Sequence, residues 1–173
     1  MYLLVMILLC LLLIMFQDLR YRAVYWICFP ILAGLLFYDK QRYIGMQDTL
    51  IDAGYNSVFF GLQLLLLWIY FFMKQQEPVN IFKQHLGLGD VLFLLAVGFY
   101  FSPLNYVLFY IVSLTLVLVY ALVQLYLFKR RKLQIPLAGL QAIFLMPVLV
   151  LSEINRDFNF NSDFWIWKLI PHF

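Results

Sequence analysis

Charged residues are scarce in this sequence, and their scarcity excludes the common classes of soluble protein. Only 12% of the 173 residues are Asp, Glu, Lys or Arg, whereas 65% are hydrophobic and the mean hydropathy is +0.90. A soluble domain is typically about 25% charged and about 45–50% apolar. The net charge of +3 is small and dispersed, which argues against nucleic-acid binding. The sequence predicts an integral membrane protein that is too short to carry a separate soluble domain.

Cysteine and histidine are also scarce, with two of each. Cys10 and Cys28 both lie inside apolar runs, and the sequence contains no Cys-x-x-Cys pair and no Cys/His cluster. Zinc sites and disulfide frameworks need such spacings, so neither is predicted. We interpret both thiols as small apolar side chains buried among helices.

Long apolar runs are what the sequence has in abundance. A helix needs about 20 apolar residues to cross the hydrocarbon core, with a range of about 17–25. Six runs reach or approach this length, and their continuity differs from the alternating strands of a membrane barrel. The first run lacks the basic start and small-residue exit of a signal peptide, so it is predicted to be a retained helix. We predict one all-α membrane domain over residues 1–173, a bundle of about six helices: Met1–Phe16, Val24–Tyr38, Ala53–Met73, Asp90–Phe101, Leu104–Phe128 and Ile135–Ser152.

The distribution of lysine and arginine predicts the orientation of this bundle. The segments after the first, third and fifth runs hold eight basic residues, and the segments on the opposite side hold four. Since basic loops stay on the cytoplasmic side, the first group is predicted to be cytoplasmic. The tail, residues 153–173, combines polar and aromatic residues and is predicted to lie at the membrane interface. The cytoplasmic group is Arg20, Arg22, Lys74, Lys83, Lys129, Arg130, Arg131 and Lys132; the other is Lys40, Arg42, Arg156 and Lys168.

One acidic residue stands at the mouth of an apolar run. Asp90 opens the fourth run and follows Gly87-Leu88-Gly89. A charged side chain costs roughly 2.5–3.5 kcal/mol at the bilayer centre and less near the interface, so an acid in this position suggests a function. The two glycines leave the backbone free to bend, or allow another chain to come close.

A second acidic residue, Asp18, lies at the end of the first run on the same predicted side of the membrane. If the first and fourth helices are neighbours, the carboxylates of Asp18 and Asp90 meet at one depth. Two close carboxylates cannot both ionise easily, so one keeps its proton while the other acts as a base. Aspartyl hydrolysis uses this division: the ionised acid takes a proton from water, and the protonated acid polarises the scissile carbonyl.

Other interpretations of the two acids stay open on spacing alone. Asp18 could pair with Arg20 or Arg22, and Asp90 could complement the dipole of its own helix. Both acids could instead serve a small proton- or cation-coupled transporter. His85 lies five residues before Asp90 and could tune it. The amides inside or beside the helices are typical of interhelical hydrogen bonding: Gln63, Asn105, Gln124 and Gln141.

Three segments of the sequence resemble one known family. Gly87–Asp90 resembles the GxGD motif of the type IV prepilin peptidases, membrane aspartyl proteases that include the archaeal preflagellin peptidases. Asp18–Val24 resembles the family's first catalytic stretch, and Ile135–Gly139 resembles the proline-containing start of its last helix. Six helices with both acids on the cytoplasmic side also match. The resemblance extends from Asp18 to about Leu145.

This resemblance implies an aspartic-type endopeptidase in the inner membrane of a prokaryote. Such enzymes remove the short basic leader of prepilins and pseudopilins at the cytoplasmic face. The implied partners are a pilin-like substrate and membrane lipids, with no nucleic acid, and neither a metal nor an organic cofactor is implied. The residues that it assigns are the catalytic pair Asp18 and Asp90, the loop-shaping Gly87 and Gly89, and the candidate modulators Arg20, Arg22 and His85.

The sequence departs from the pattern of the family at several positions. Tyr25 and Trp26 stand where the family often has Pro followed by Asn or Asp, and Leu92 stands where it often has lysine. Because both acids are present, these departures concern substrate preference more than chemistry. The N-terminal segment with paired cysteines, associated with N-methylation in larger bacterial enzymes, does not occur, so we expect a peptidase without methyltransferase activity. A non-catalytic scaffold of a pilus or secretion machine is a further alternative.

Overall fold

The computed structural model of the chain describes residues 2–75, 87–128, 135–154 and 160–163. These ranges form six α-helices and no β-strand, which confirms the predicted all-α membrane bundle. The helices are α1 (Tyr2–Tyr21), α2 (Cys28–Ile44), α3 (Met46–Gln75), α4 (Leu88–Val97), α5 (Pro103–Phe128) and α6 (Leu137–Ile154).

Four of these helices are long and apolar enough to cross a membrane: Tyr2–Tyr21, Met46–Lys74, Pro103–Tyr126 and Leu137–Ile154. Their outer faces carry many exposed large apolar side chains, as expected for surfaces in contact with lipid. The apolar helix α4 has 10 residues, and at about 1.5 Å per residue it covers about half of the hydrocarbon core. Since α4 begins at Leu88, Asp90 lies in its first turn.

The closest helix pairing brings α1 against α6. Ile7, Leu11 and Ile14 of α1 are fully buried, and Asp18 continues the same helical face at its end. The facing stripe of α6 begins with small residues, which allow two membrane helices to approach closely. Its buried members are Ala138, Gly139, Gln141, Ala142, Leu145 and Leu149. The packing of α1 on α6 thus delivers Asp18 to the beginning of α6.

The opposite end of the bundle is held together by a buried ion pair. Lys40 of α2 is fully buried, and its Nζ lies 2.6 Å from Oδ2 of Asp52 in α3. The same ammonium group donates to the carbonyl oxygen of Phe101, and the amide of Asn56 donates to the carbonyls of Gly98 and Phe101. These bonds satisfy the carbonyls of the turn between α4 and α5, and so fix that turn against α2 and α3.

The position of Lys40 corrects one detail of the sequence interpretation. The predicted second run ended at Tyr38, which placed Lys40 and Arg42 in a loop, whereas α2 continues to Ile44 and ends at Gly45 with φ of 88°. Glycine adopts this left-handed conformation without the steric cost that other residues meet. Lys40 is therefore part of the folded core rather than a solvated loop charge.

Only residues 160–163 of the predicted interfacial tail beyond α6 fall within the described ranges. The carbonyl oxygen of Phe160 accepts hydrogen bonds from the Ser102 backbone N–H at 3.3 Å and from Asn105 Nδ2 at 3.1 Å. This short piece packs beside the beginning of α5. Glu153 and Ile154, predicted to begin the tail, form the end of α6 instead, and the other tail residues, including Trp165 and Trp167, lie outside the described ranges.

Candidate active site

The site is built on the N-terminus of α6. Pro136 precedes the helix, and its carbonyl accepts the hydrogen bond from Leu140 N at 3.1 Å, so Pro136 holds the N-cap position. The first N–H groups of a helix have no partner within the helix, and a capping side chain usually accepts from them. Proline has no side-chain oxygen that could do so. The N–H groups of Ala138 and Gly139 therefore need acceptors from elsewhere in the fold.

Two carboxylates from other helices supply these acceptors. Asp90 Oδ1 of α4 accepts from the Ala138 N–H at 2.9 Å, and Asp18 Oδ2 of α1 accepts from the Gly139 N–H at 2.6 Å. Since the two donors are consecutive in the chain, the carboxyl groups are held side by side at one helix end. The positive end of the helix dipole favours negative charge at this position. The structure thus brings together the two acids that the sequence singled out.

Asp18 and Asp90 are brought together through α6 rather than through a direct pairing of α1 with α4. Their predicted meeting depended on α1 and α4 being neighbours. In the structure α4 packs mainly against α2 and also contacts α6, and α1 packs mainly against α6. The start of α6 lies between the two acidic helices and binds a carboxylate from each.

Neither carboxylate forms an ion pair within the described ranges. The Arg20 guanidinium lies over the rings of Phe16 and Tyr21, at 5.9 and 5.7 Å from their centroids. Arg22 has φ of 55°, and its backbone N–H bonds to the Asp18 carbonyl as α1 ends. The ion pair considered for Asp18 is therefore not found with either arginine. Asp18 is only 8% exposed, and burying a carboxylate without a direct ion pair costs free energy, which favours a functional role for this residue.

The two glycines before Asp90 have different surroundings. Gly87 has φ of −67° and ψ of 135°, which any residue can adopt, so its importance lies in the space it leaves. A Cβ atom at Gly87 would lie 2.9 Å from Oδ2 of Asp90, whereas a Cβ at Gly89 would meet the Phe29 ring at 3.5 Å, an ordinary contact. Gly87 therefore makes room for the Asp90 carboxylate itself.

The Gly87→Ala variant is expected to reduce any activity that depends on Asp90, by about tenfold or more, because the new methyl group displaces its carboxylate. The bundle should keep its thermal stability, since the displaced atom is the end of a side chain. Gly89→Ala is the matched control and should stay within about threefold of wild type. Equal activities for Gly87→Ala and Gly89→Ala would show that Gly87 is not needed to make room for the Asp90 carboxylate.

Gly139 is the second close approach at the site. A Cβ atom here would lie 3.1 Å from both Cβ and Oδ2 of Asp18 and 3.4 Å from the Met15 carbonyl oxygen. Gly139→Ala is therefore expected to push α1 away from α6, to lengthen the Asp18 hydrogen bond, and to lower activity about tenfold. Overpacking of this kind typically costs about 1–3 kcal/mol of unfolding free energy. Activity and thermal denaturation in detergent measure both effects.

The control for Gly139→Ala is Gly61→Ala in α3, because a Cβ atom at Gly61 meets nothing within 4 Å. This control should be as active as wild type and no less stable, since alanine favours helix more than glycine does. Full activity of Gly139→Ala would show that the close approach of α1 to α6 does not matter to the site.

A cavity of about 330 Å³ opens beside Asp90. Its walls are mostly apolar side chains from α3, α4 and α5, and Asp90 is the acidic residue that lines it. Concave apolar sites with a few convergent polar groups are the usual form of binding sites. The lining residues include Phe60, Gln63, Leu64, Leu67, Val91, Leu94, Tyr110 and Leu114.

The remaining predicted positions lie around this centre. Tyr25 and Trp26, two of the departures from the family pattern, are exposed after α1, and the Tyr25 N–H donates to Gln17 Oε1. Leu92 packs against the apolar core. His85 lies outside the described residues. Within the described ranges no three His, Cys, Asp or Glu side chains group together in a way that could hold a metal ion.

A comparison with protein families decides which family this chain represents. The type IV leader peptidase family matches residues 5–122, which is 118 of the 173 residues. The chain belongs to this family. It is therefore a multi-pass membrane protein with the general function of a leader peptidase, of the aspartic type. No curated protein and no solved structure shows a significant match.

The family match includes Asp18 and Gly87–Asp90 but ends before α6. The contribution of α6 to this leader peptidase thus comes from the structure, through the Ala138 and Gly139 N–H groups. Pro136 and the small residues that follow it stand out in the sequence, but the role of these two donors does not. The available signal was a proline without a polar cap at a helix start, which leaves the first N–H groups of the helix to other partners.

Proposed function

We propose that this leader peptidase is an aspartyl endopeptidase with Asp18 and Asp90 as its catalytic pair, and that it removes the short basic leader of type IV prepilin-like and pseudopilin proteins. The observation that carries the proposal is the pair of hydrogen bonds from Ala138 N–H and Gly139 N–H, which hold two acids side by side. Family membership supports peptide hydrolysis as the reaction.

The geometry supports different roles for the two oxygens of each carboxyl group. The N–H groups of α6 bind Oδ2 of Asp18 and Oδ1 of Asp90. One oxygen of each acid is thereby fixed, and the other is the one that would exchange protons with the reactants. Preorganised backbone donors hold charged groups in place without reorganisation during the reaction. In this proposal α6 sets the position of both acids relative to a substrate carbonyl.

The proposed reaction begins with one acid ionised and the other protonated, as expected for two close carboxyl groups. The ionised acid takes a proton from water while the water oxygen bonds to the scissile carbonyl carbon, and the other acid protonates the carbonyl oxygen. When the resulting diol collapses, the C–N bond breaks and the leaving nitrogen takes a proton from the first acid. The diol returns a proton to the second acid, and both carboxyl groups regain their initial states.

The cavity beside Asp90 supports a substrate that carries a hydrophobic segment. Prepilin-like proteins join a basic leader to a hydrophobic helix, and cleavage occurs at this junction. In the proposed complex, the scissile bond lies at Asp18 and Asp90, and the first residues of the hydrophobic segment enter the cavity. Apolar walls such as Leu64, Leu67 and Leu94 would be covered by the apolar side chains of the substrate, which is favourable.

We further propose that the acidic pair faces the cytoplasm and that the membrane is the inner membrane of a prokaryote. The excess of basic residues in the segments that follow α1, α3 and α5 supports this orientation.

The proposed activity is cleavage without N-methylation. Cys10 and Cys28, instead of forming a paired knuckle, lie in adjacent helices, and the Cys10 thiol donates to the Cys28 carbonyl at 3.6 Å.

Reconstitution of the purified full chain in liposomes tests this function. The substrate is a pilin-like protein with a basic leader and a hydrophobic helix, and mass spectrometry identifies the products. The expected result is one cut at the junction of leader and helix. Substrate that stays intact, together with proton-gradient-dependent uptake of cations, would favour the transporter alternative. Intact substrate without uptake, in a protein that still supports pilus assembly, would favour the scaffold.

A further inference from the structure

One polar side chain in the cavity beside Asp90 makes no hydrogen bond to the residues that the structure describes. Gln63 of α3 faces the cavity from a wall that is otherwise largely apolar, and it is half-buried there. The residues of α3 that share this face follow helical spacing. The α3 residues that line the cavity are Phe60, Gln63, Leu64, Leu66, Leu67 and Tyr70. Asp90 lines the same cavity from α4, so the amide of Gln63 and the carboxyl group share one binding space.

The Gln63 amide has no hydrogen-bond partner within the described ranges, which differs from the interhelical hydrogen bond predicted for it. Other amides of the bundle do have partners. Gln141 Nε2 donates to Ser113 Oγ at 3.2 Å, Gln124 Nε2 donates to the Tyr120 hydroxyl at 3.2 Å, and Asn56 donates to two backbone carbonyls. A polar group in apolar surroundings is unfavourable unless it is paired. Gln63 therefore lacks the structural role that these amides have.

The reaction itself creates a need for such a group. In an α-helix each carbonyl accepts from the N–H four residues later, so the substrate must unwind near its scissile bond before water can reach the carbonyl. Unwinding frees peptide N–H and C=O groups, and those that come to lie against the apolar walls of the cavity are unfavourable unless they find a hydrogen-bond partner there. A side-chain amide has both a donor and an acceptor. It can therefore pair with a peptide group in the way that another peptide group does.

We propose that Gln63 is a substrate-binding residue whose side-chain amide pairs with a freed main-chain peptide group of the substrate, next to the scissile bond. This inference rests on the proposed function. In this arrangement the Asp90 carboxyl group acts on the scissile carbonyl, and the Gln63 amide holds the unwound substrate backbone beside it. The apolar walls bind the side chain of the same substrate residue.

The test compares steady-state kinetics of the full chain in liposomes with a pilin-like substrate. Gln63→Met keeps the length of the side chain and removes its donor and acceptor, so KM is expected to rise about tenfold with kcat within about threefold of wild type. Gln63→Asn keeps the amide on a shorter chain and should lie between the two. Gln124→Met is the matched control, because Gln124 is not among the described residues that line the cavity, and it should have the wild-type KM.

Thermal denaturation in detergent separates binding from folding. Since the Gln63 amide has no partner to lose among the described residues, Gln63→Met should be at least as stable as wild type, and a loss of stability together with unchanged KM would overturn the inference. An unchanged KM in a stable variant would overturn it equally, while the proposed function would stand. A different result would overturn the proposed function itself: cleavage of the same substrate by Asp90→Asn at the wild-type rate.

Discussion

Leader removal is expected to stop when Asp90 is replaced by Asn, with the helix bundle still folded. Asparagine is nearly the same size, and its side-chain oxygen can still accept from the Ala138 N–H, whose distance from Asp90 Oδ1 is 2.9 Å. The amide cannot take or give a proton as a carboxyl group does. We expect the rate of cleavage to fall by at least about 10³-fold, within the range seen for loss of a general acid or base.

The control for Asp90→Asn is the same change at Asp48, which is exposed in the first turn of α3. Asp48→Asn should cleave within about twofold of wild type. Initial rates on one substrate, with equal amounts of folded protein verified by gel filtration, give the comparison. Cleavage by Asp90→Asn at more than about a tenth of the wild-type rate would show that Asp90 does not carry the proton transfer.

Replacement of Asp18 by Asn is expected to lower the cleavage rate as much as Asp90→Asn does. The variant should also be at least as stable as wild type. Asp18 is 8% exposed and has no ion pair within the described ranges. The side-chain oxygen of asparagine can still accept from the Gly139 N–H, so this hydrogen bond is kept without the cost of a buried charge. A variant that gains stability while it loses function identifies a residue kept for activity rather than for folding.

Asp52→Asn provides a control with the opposite outcome. Asp52 pairs with the fully buried ammonium group of Lys40 at 2.6 Å. Breaking a buried pair by removal of one partner typically costs about 3–5 kcal/mol, so this variant should unfold at a lower temperature than wild type. If Asp18→Asn also lost stability, Asp18 would be a structural cap, and its proposed role in the reaction would be in doubt.

The membrane class and the two acids could be predicted from the sequence because each leaves a local signal. Long apolar runs predict helices that cross a lipid bilayer, since backbone groups in lipid must bond within their own segment. An acid at the mouth of such a run is costly, and this cost drew attention to Asp90. Neither argument needs knowledge of which helices touch.

The position of α6 could not be predicted in the same way. Asp18, Asp90 and Gly139 are far apart in the chain, and sequence distance does not give spatial distance. Membrane helices are apolar on all sides, so hydrophobic periodicity does not show which face meets which neighbour. The burial of Lys40 could not be predicted either, because a basic residue near a helix end is more often solvated than paired.

The most direct test of the central claim, that Asp18 and Asp90 act as one unit, is a comparison of four cleavage rates. Wild type, Asp18→Asn, Asp90→Asn and the double variant are measured on one pilin-like substrate in the same liposomes. Residues that act together in one step are strongly non-additive, so we expect all three variants to share the same residual rate. A single variant that retains more than about a tenth of the wild-type rate, or a double variant much slower than both single variants, would contradict the account.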